Sequence, residues 1–173
     1  YLFTLILVFA AGAYAAYTDF KGMIIPNKIP LVILVLFAIH ALFMIISGHG
    51  LMFTFQSHVL SGVIVFLVTL FMFSAKLMGG GDAKMLAAYS FWFGMKGVSV
   101  FLFYTALFGA IVAAVALVFK KLQPVNDPAE GSWIQRVQSG ESAVPYAIPI
   151  FAGATVGFLI VGFFSIERLK SML

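Results

Sequence analysis

Two aspartates stand out because of where they lie in a very apolar chain. Asp82 directly follows three glycines at the junction of two apolar segments, and Asp19 closes the first apolar segment. They are the only acidic residues among the first 126. An acidic side chain is costly to keep near lipid, so one at a membrane boundary is a candidate for function.

A pair of carboxylates at one membrane boundary could hydrolyse an amide bond. Like charges a few ångströms apart cannot both ionise, so such a pair shares one proton. The ionised member can act as a base towards water, while the protonated member hydrogen-bonds the carbonyl and later helps to protonate the leaving amine. We therefore predict Asp19 and Asp82 to be catalytic.

Each aspartate also has a purely structural interpretation. Asp19 could be a solvated loop acid neutralised by Lys21, although an anion at a helix C-terminus is disfavoured by up to about 1 kcal/mol. Asp82 could cap the helix that follows it, with the glycines simply forming a turn. The same glycines would also let an extended backbone lie close to a bound peptide.

The composition indicates an all-α, polytopic membrane protein. Hydrophobic residues make up 63% and charged residues 9% of the chain, whereas soluble domains carry about 25% charged residues. The apolar runs are continuous, which is typical of helices rather than of barrel strands. We predict one domain (1–173) with six membrane segments, at 1–17, 29–47, 58–77, 83–93, 98–119 and 145–164.

Segments 83–93 and 1–17 leave the topology open. Segment 83–93 is too short to cross about 30 Å of hydrocarbon, so it is either a sunken span or a re-entrant one. Both arrangements give the same excess of Lys and Arg inside, and both put the aspartates on the cytoplasmic side. The polar loop 120–144 is cytoplasmic if segment 83–93 spans the membrane and lies on the opposite side if that segment is re-entrant. A signal peptide is the alternative for segment 1–17, and the five apolar segments that follow favour a retained span.

Other kinds of chemistry find little support. The chain has no cysteine, which excludes thiol nucleophiles and disulfides. The three scattered histidines, of which His49 and His58 flank the uncharged loop, make a poor metal site, so none is expected. No basic, aromatic-rich polar patch suggests nucleic acid. A small proton- or cation-coupled transporter using the same acids remains the alternative, followed by a membrane scaffold without chemistry.

Two motifs resemble those of a known family. Asp19 followed by Ile25-Pro26-Asn27, and then the run 79–84 of sequence GGGDAK, resembles the GxGD-type intramembrane aspartyl proteases, specifically prepilin peptidases. The run 145–149, of sequence PYAIP, is similar to the last characteristic segment of that family. The short chain is most similar to the Flp/tight-adherence type, and archaeal preflagellin peptidases are of similar size.

This resemblance implies an inner-membrane endopeptidase without metal or organic cofactor. Its substrate would be a type IV pilin-like precursor, cut on the cytoplasmic side just before its hydrophobic N-terminal helix. N-methylation of the product is not expected, because the cysteine-containing domain of larger members is absent from the sequence. The residues expected to bind substrate or shape the site are Gly79, Gly80, Gly81, Pro26, Asn27 and Lys84. Pro26 and Asn27 would turn Asp19 inward, and Lys84 would act on the nearby acid or meet lipid phosphates.

Overall fold

The computed structural model describes residues 2–46, 52–142 and 144–164, and the regular structure in these ranges is entirely α-helical. Four helices are long and apolar enough to cross a membrane, and a fifth apolar helix is shorter. The predicted all-helical, multi-pass membrane fold is therefore confirmed. The helices are α1 (Leu2–Gly22), α2 (Lys28–Ile46), α3 (Met52–Ser74), α4 (Gly80–Leu122), α5 (Trp133–Gln138) and α6 (Ala147–Ile160).

Helix α4 folds back on itself at Gly94. This residue has φ 59° and ψ 177°, a combination that is essentially restricted to glycine. The rings of Phe93 and Phe101 stack 4.9 Å apart, whereas eight residues of straight helix would span about 12 Å. Helix α4 thus consists of two arms, α4a (80–93) and α4b (95–122), which supply the fourth and fifth predicted segments.

Side chains of α3 complete the hydrogen bonding at this reversal. The break leaves backbone groups without their helical partners. The Met95 N–H donates to Ser57 Oγ at 2.9 Å, and His58 Nδ1 lies 2.7 Å from the Phe91 carbonyl oxygen. Ser61 Oγ donates to the carbonyl oxygen of Ser90 one turn earlier, at 2.8 Å. His58 therefore has a structural role at the end of the bundle remote from the aspartates, while His49 lies outside the described residues.

The other helices pack around α4a. Helices α1 and α3 run antiparallel to it, and α6 packs against both α1 and the returning arm α4b. Large side chains fill the centre, since Tyr89, Trp92, Phe101 and Phe158 are each no more than 1% exposed. The rings of Phe93 and Phe158 lie 4.8 Å apart across the contact with α6. The shortest predicted membrane segment, 83–93, thus forms the enclosed centre of the bundle as part of α4a.

The polar loop lies at the same end of the bundle as the aspartates. Within it, Trp133 of α5 packs on Phe20 of α1 at 5.7 Å and on Phe119 of α4b at 5.8 Å. A re-entrant fourth segment would have put this loop at the opposite end. The alternating, six-segment order is therefore the one that the fold adopts.

Several predicted segment boundaries differ from the structure. Helix α3 begins at Met52, six residues before the predicted start, and ends at Ser74 instead of residue 77. Two further differences concern the aspartates. Helix α1 extends to Gly22, five residues beyond the predicted end, so Asp19 lies inside the helix and the connection shrinks to 23–27. Helix α4 begins at Gly80 instead of residue 83, which places Asp82 in its first turn. In both cases packing against neighbouring helices extends a helix over residues whose polarity had suggested a loop.

Candidate active site

Asp19 belongs to the buried stripe of α1. Its members recur every three or four residues, which places them on one helical face: Leu5, Val8, Gly12, Ala15 and Asp19. The Asp19 side chain is only 4% exposed, and its Oδ2 accepts a hydrogen bond of 2.8 Å from the Ala147 N–H. The interpretation of Asp19 as a solvated loop acid is therefore wrong. Lys21 is exposed and its Nζ lies 3.5 Å from Tyr17 Oη.

The partner of Asp19 is the N-terminus of α6. The first N–H groups of a helix have no intrahelical acceptor, and the helix dipole adds partial positive charge there. Ala147 is the first residue of α6, so its N–H is free to donate to a carboxylate. Asp19 is thus held by a residue 128 positions away, which the sequence did not single out individually. The sequence signals were the run 145–149, which contains Ala147, and within it Pro149, because proline is common in the first turn of a helix.

Asp82 is held by its own local structure. Gly79, with φ −68° and ψ 146°, is the extended residue that precedes α4, and Asp82 is the third residue of the helix. The Gly79 N–H donates to the Asp82 carboxylate, as an acid at this position does in a capping box. The expectation that Asp82 itself precedes and caps the helix is therefore wrong. Its side chain is half-buried.

The fold brings the two carboxylates together. They come from antiparallel helices, one near the C-terminus of α1 and the other at the start of α4a, and the charge of Asp19 acts on the Asp82 carboxyl through space. We call this region, where both aspartates meet the N-terminus of α6, the aspartate end of the bundle. Its three helices contribute two acids and one backbone donor.

The two sequence motifs contact each other at this end. Lys84 Nζ donates to Asn27 Oδ1 at 2.9 Å, on the exposed side. Gly81 faces Ile25 so closely that a Cβ on the glycine would lie 3.0 Å from Ile25 Cβ. Pro26 accepts at 2.9 Å from the Ile29 N–H, which closes the turn into α2. The turn that contains Pro26 and Asn27 therefore packs directly on the start of α4.

The glycine run is less extended than expected. Only Gly79 has an extended backbone, while Gly80 and Gly81 already belong to α4, so the expected open strand is wrong for these two. Close packing explains the helical glycines, because a Cβ on Gly80 would lie 3.1 Å from the Phe73 ring and one on Gly81 would meet Ile25. These glycines shape the site by admitting neighbours.

The described residues offer no group of three His, Cys, Asp or Glu side chains that could hold a metal ion. The arrangement consists instead of a carboxylate pair with backbone N–H donors and one nearby lysine. Such a pair can exchange protons with water and with a carbonyl substrate.

A comparison with known families identifies the chain. Residues 6–114, which include both aspartates and both motifs, match the model of the type IV leader peptidase family. The chain belongs to the type IV leader peptidase family. The match confirms the resemblance to prepilin peptidases at the level of the family. This peptidase is therefore a membrane-embedded protease. No curated protein and no solved structure matches it. Ala147 and α6 lie beyond the matched residues.

Proposed function

We propose that this leader peptidase is an aspartic endopeptidase whose catalytic pair is Asp19 and Asp82. The observation that carries the proposal is the meeting of these acids at one end of the bundle, where one is buried and both accept backbone N–H bonds. Acids of a coupled transporter typically lie near the middle of the bilayer on broken helices. The location at a helix end therefore supports hydrolysis at the membrane boundary.

The proposed mechanism uses one shared proton. Repulsion between adjacent carboxylates favours the singly protonated pair, in which the titration belongs to both residues together. The ionised carboxylate removes a proton from water, and the water oxygen bonds to the carbonyl carbon of the scissile amide. The protonated carboxyl hydrogen-bonds the carbonyl oxygen, and the carboxyl that took the proton from water passes it to the leaving nitrogen as the C–N bond breaks, which restores the singly protonated pair. The Ala147 N–H engages Oδ2 of Asp19, which leaves Oδ1 as the oxygen proposed to act on water or substrate.

We propose a pilin-like precursor as the substrate, with its apolar helix in a groove that starts beside the aspartates. The groove opens at Asn27 and Lys84, has a volume of about 230 Å³, and is otherwise lined mainly by apolar residues of α2, α3 and α4a. A second apolar cavity of about 380 Å³ continues it, sharing Leu34 and Phe91. A helix seated there would present its N-terminal boundary to the carboxylates.

The charge distribution supports a cytoplasmic location of the proposed cleavage. Cytoplasmic loops of membrane proteins are enriched in Lys and Arg. Seven of the ten basic residues lie at the aspartate end, in the last or first turns of its helices, in α5 or in the connection after α3: Lys21, Lys28, Lys76, Lys84, Lys120, Lys121 and Arg136. Lys96 lies at the opposite end, beside the reversal at Gly94. The proposed location is therefore the cytoplasmic face of the inner membrane.

The test replaces each aspartate by its neutral isostere. We expect Asp19→Asn and Asp82→Asn each to reduce cleavage of a prepilin-like precursor by about 100- to 10,000-fold, the usual contribution of general acid–base groups. Purified enzyme in detergent is incubated with the precursor, and the mass of the new N-terminus is measured. Asp127→Asn, in the exposed part of the polar loop, is the matched control and should cleave normally. Wild-type rates for either site variant would refute the proposal.

A further inference from the structure

Gly12 lies at a close contact between α1, α4a and α6. Tyr89 Oη, from α4a, donates to the Val8 carbonyl oxygen of α1 at 3.3 Å. A Cβ on Gly12 would overlap Tyr89 Oη and would lie 2.5 Å from Cδ2 of Phe151, on α6. The missing side chain at Gly12 is therefore what lets both aromatic residues reach the backbone of α1.

The residues at this contact are related to the site by the helical repeat. Asp19 follows Gly12 by seven residues, and Asp82 precedes Tyr89 by seven in the antiparallel arm. Seven residues are almost two turns, about 10.5 Å, and return to the same face of a helix. Ala147, the donor to Asp19, lies one turn before Phe151 on α6. The same three helices therefore carry the Gly12 contact and, towards the aspartate end, the functional groups, about two turns away on α1 and α4a and one turn away on α6.

Two of the residues at this contact are enclosed by the core, and Phe151 is partly buried against them. Val8 is fully buried and Tyr89 is 1% exposed, and interiors at that density transmit displacement to their neighbours. We propose that Gly12 is a positioning residue, whose close contact with Tyr89 and Phe151 sets the register that holds Asp19 beside Asp82 and the Ala147 N–H. The catalytic consequence of this register rests on the proposed function, whereas the register itself does not.

A measurement of proximity tests the register without using activity. Because the chain contains no cysteine, the double variant Asp19→Cys/Asp82→Cys has only these two thiols. We expect a short bifunctional thiosulfonate to link them in membranes, with the yield read by mass. Adding Gly12→Ala should lower the linked fraction several-fold. Adding Gly22→Ala should leave it unchanged, because a Cβ there meets nothing within 4 Å although Gly22 is closer to Asp19 in the chain.

Kinetics test the catalytic consequence. With both aspartates present, Gly12→Ala should lower kcat about 100-fold, since a displacement of about 1 Å at reacting groups has that effect. KM should change little, because the proposed substrate groove lies between α2 and α3. Making room with Tyr89→Phe and Phe151→Leu in the Gly12→Ala background should recover at least tenfold in kcat, which a general loss of folded protein would not allow.

The outcomes separate this inference from the proposed function. Undiminished linking or an unchanged kcat in Gly12→Ala would overturn the register role. So would a kcat that does not recover when Tyr89→Phe and Phe151→Leu are added to Gly12→Ala. If linking falls as expected while Asp19→Asn and Asp82→Asn still cleave, the register stands and the catalytic assignment fails. If the aspartate variants are inactive and Gly12→Ala behaves as wild type, only the register inference fails.

Discussion

The two aspartates are held by different kinds of interaction. Asp19 is buried and depends on an N–H from another helix, so its orientation is a property of the tertiary structure. Asp82 is half-buried and bonds to Gly79, three residues earlier in the chain. A change that shifts α6 should therefore disturb Asp19 first, while a change in the glycine run should disturb Asp82 first.

The three consecutive glycines should differ in their tolerance of alanine. A Cβ on Gly79 would lie 2.6 Å from Asp82 Oδ2 and would force the carboxylate to rotate away. A Cβ on Gly81 would lie 3.0 Å from Ile25 Cβ, which cannot rotate aside, whereas one on Gly80 would meet only the outer ring of Phe73 at 3.1 Å. We expect Gly79→Ala to lower kcat most, by about 100-fold, and Gly80→Ala least.

Steady-state cleavage of a prepilin-like precursor by the three purified variants gives this order directly. Each variant serves as a control for the others, since all add one methyl group within three residues. Equal losses in all three would indicate that glycine is needed there for the backbone alone and would contradict the ranking.

At the scale of elements, α4a is the piece around which the others are arranged. Its 14 residues span about 21 Å, less than the hydrocarbon thickness, and the reversal at Gly94 returns the chain to the aspartate end. Helices α1, α2, α3 and α6 contact α4. The apolar groove lies over α4a between α2 and α3, and Asn27 and Lys84 line its polar part.

Filling the groove should weaken substrate binding without affecting the acids. Leu34 lines both cavities, so we expect Leu34→Trp to raise KM for a prepilin-like precursor roughly tenfold, equivalent to about 1.4 kcal/mol, with little change in kcat. Val35→Trp is the matched control, because Val35 is adjacent, also exposed (48% against 37% for Leu34), and outside the groove lining. The measurement is KM and kcat in one detergent. Equal effects of both variants would argue against the groove as the binding site.

At the scale of the whole molecule, the six segments alternate in direction. Three helix starts and three helix ends gather at the aspartate end, together with the polar loop and its short helix α5. The loop is tied to the bundle through Trp133, which is 5% exposed. The proposed catalytic pair and most basic residues therefore share one membrane face.

Single cysteines should report this arrangement. We expect Leu77→Cys, after α3, and Asp127→Cys, in the polar loop, to react with a membrane-impermeant thiol reagent from the same side. Met95→Cys, at the reversal and 44% exposed, should react only from the opposite side. Oriented vesicles with and without permeabilisation provide the readout, and the cysteine-free wild type is the blank. Labelling of position 127 together with position 95 would contradict the alternating order.

The sequence by itself determined the fold class and the candidate residues. Continuous apolar runs with 9% charged residues leave a helical membrane bundle as the outcome, since backbone polar groups in lipid must bond internally. The scarcity of acids singled out Asp19 and Asp82, and the motifs around them predicted the family that residues 6–114 match. These inferences depend on the composition and on the order of residues within short motifs, and both can be read from a single sequence.

Only the tertiary structure decided how these residues meet. The fold-back at Gly94 placed the polar loop beside the aspartates, a choice that the balance of basic residues left open. The bond from Ala147 to Asp19, the contact of Gly81 with Ile25, and the packing of Tyr89 and Phe151 on Gly12 join residues far apart in the chain. Such contacts depend on the register and closeness of packed helices, and neither quantity is encoded in the polarity pattern of one segment.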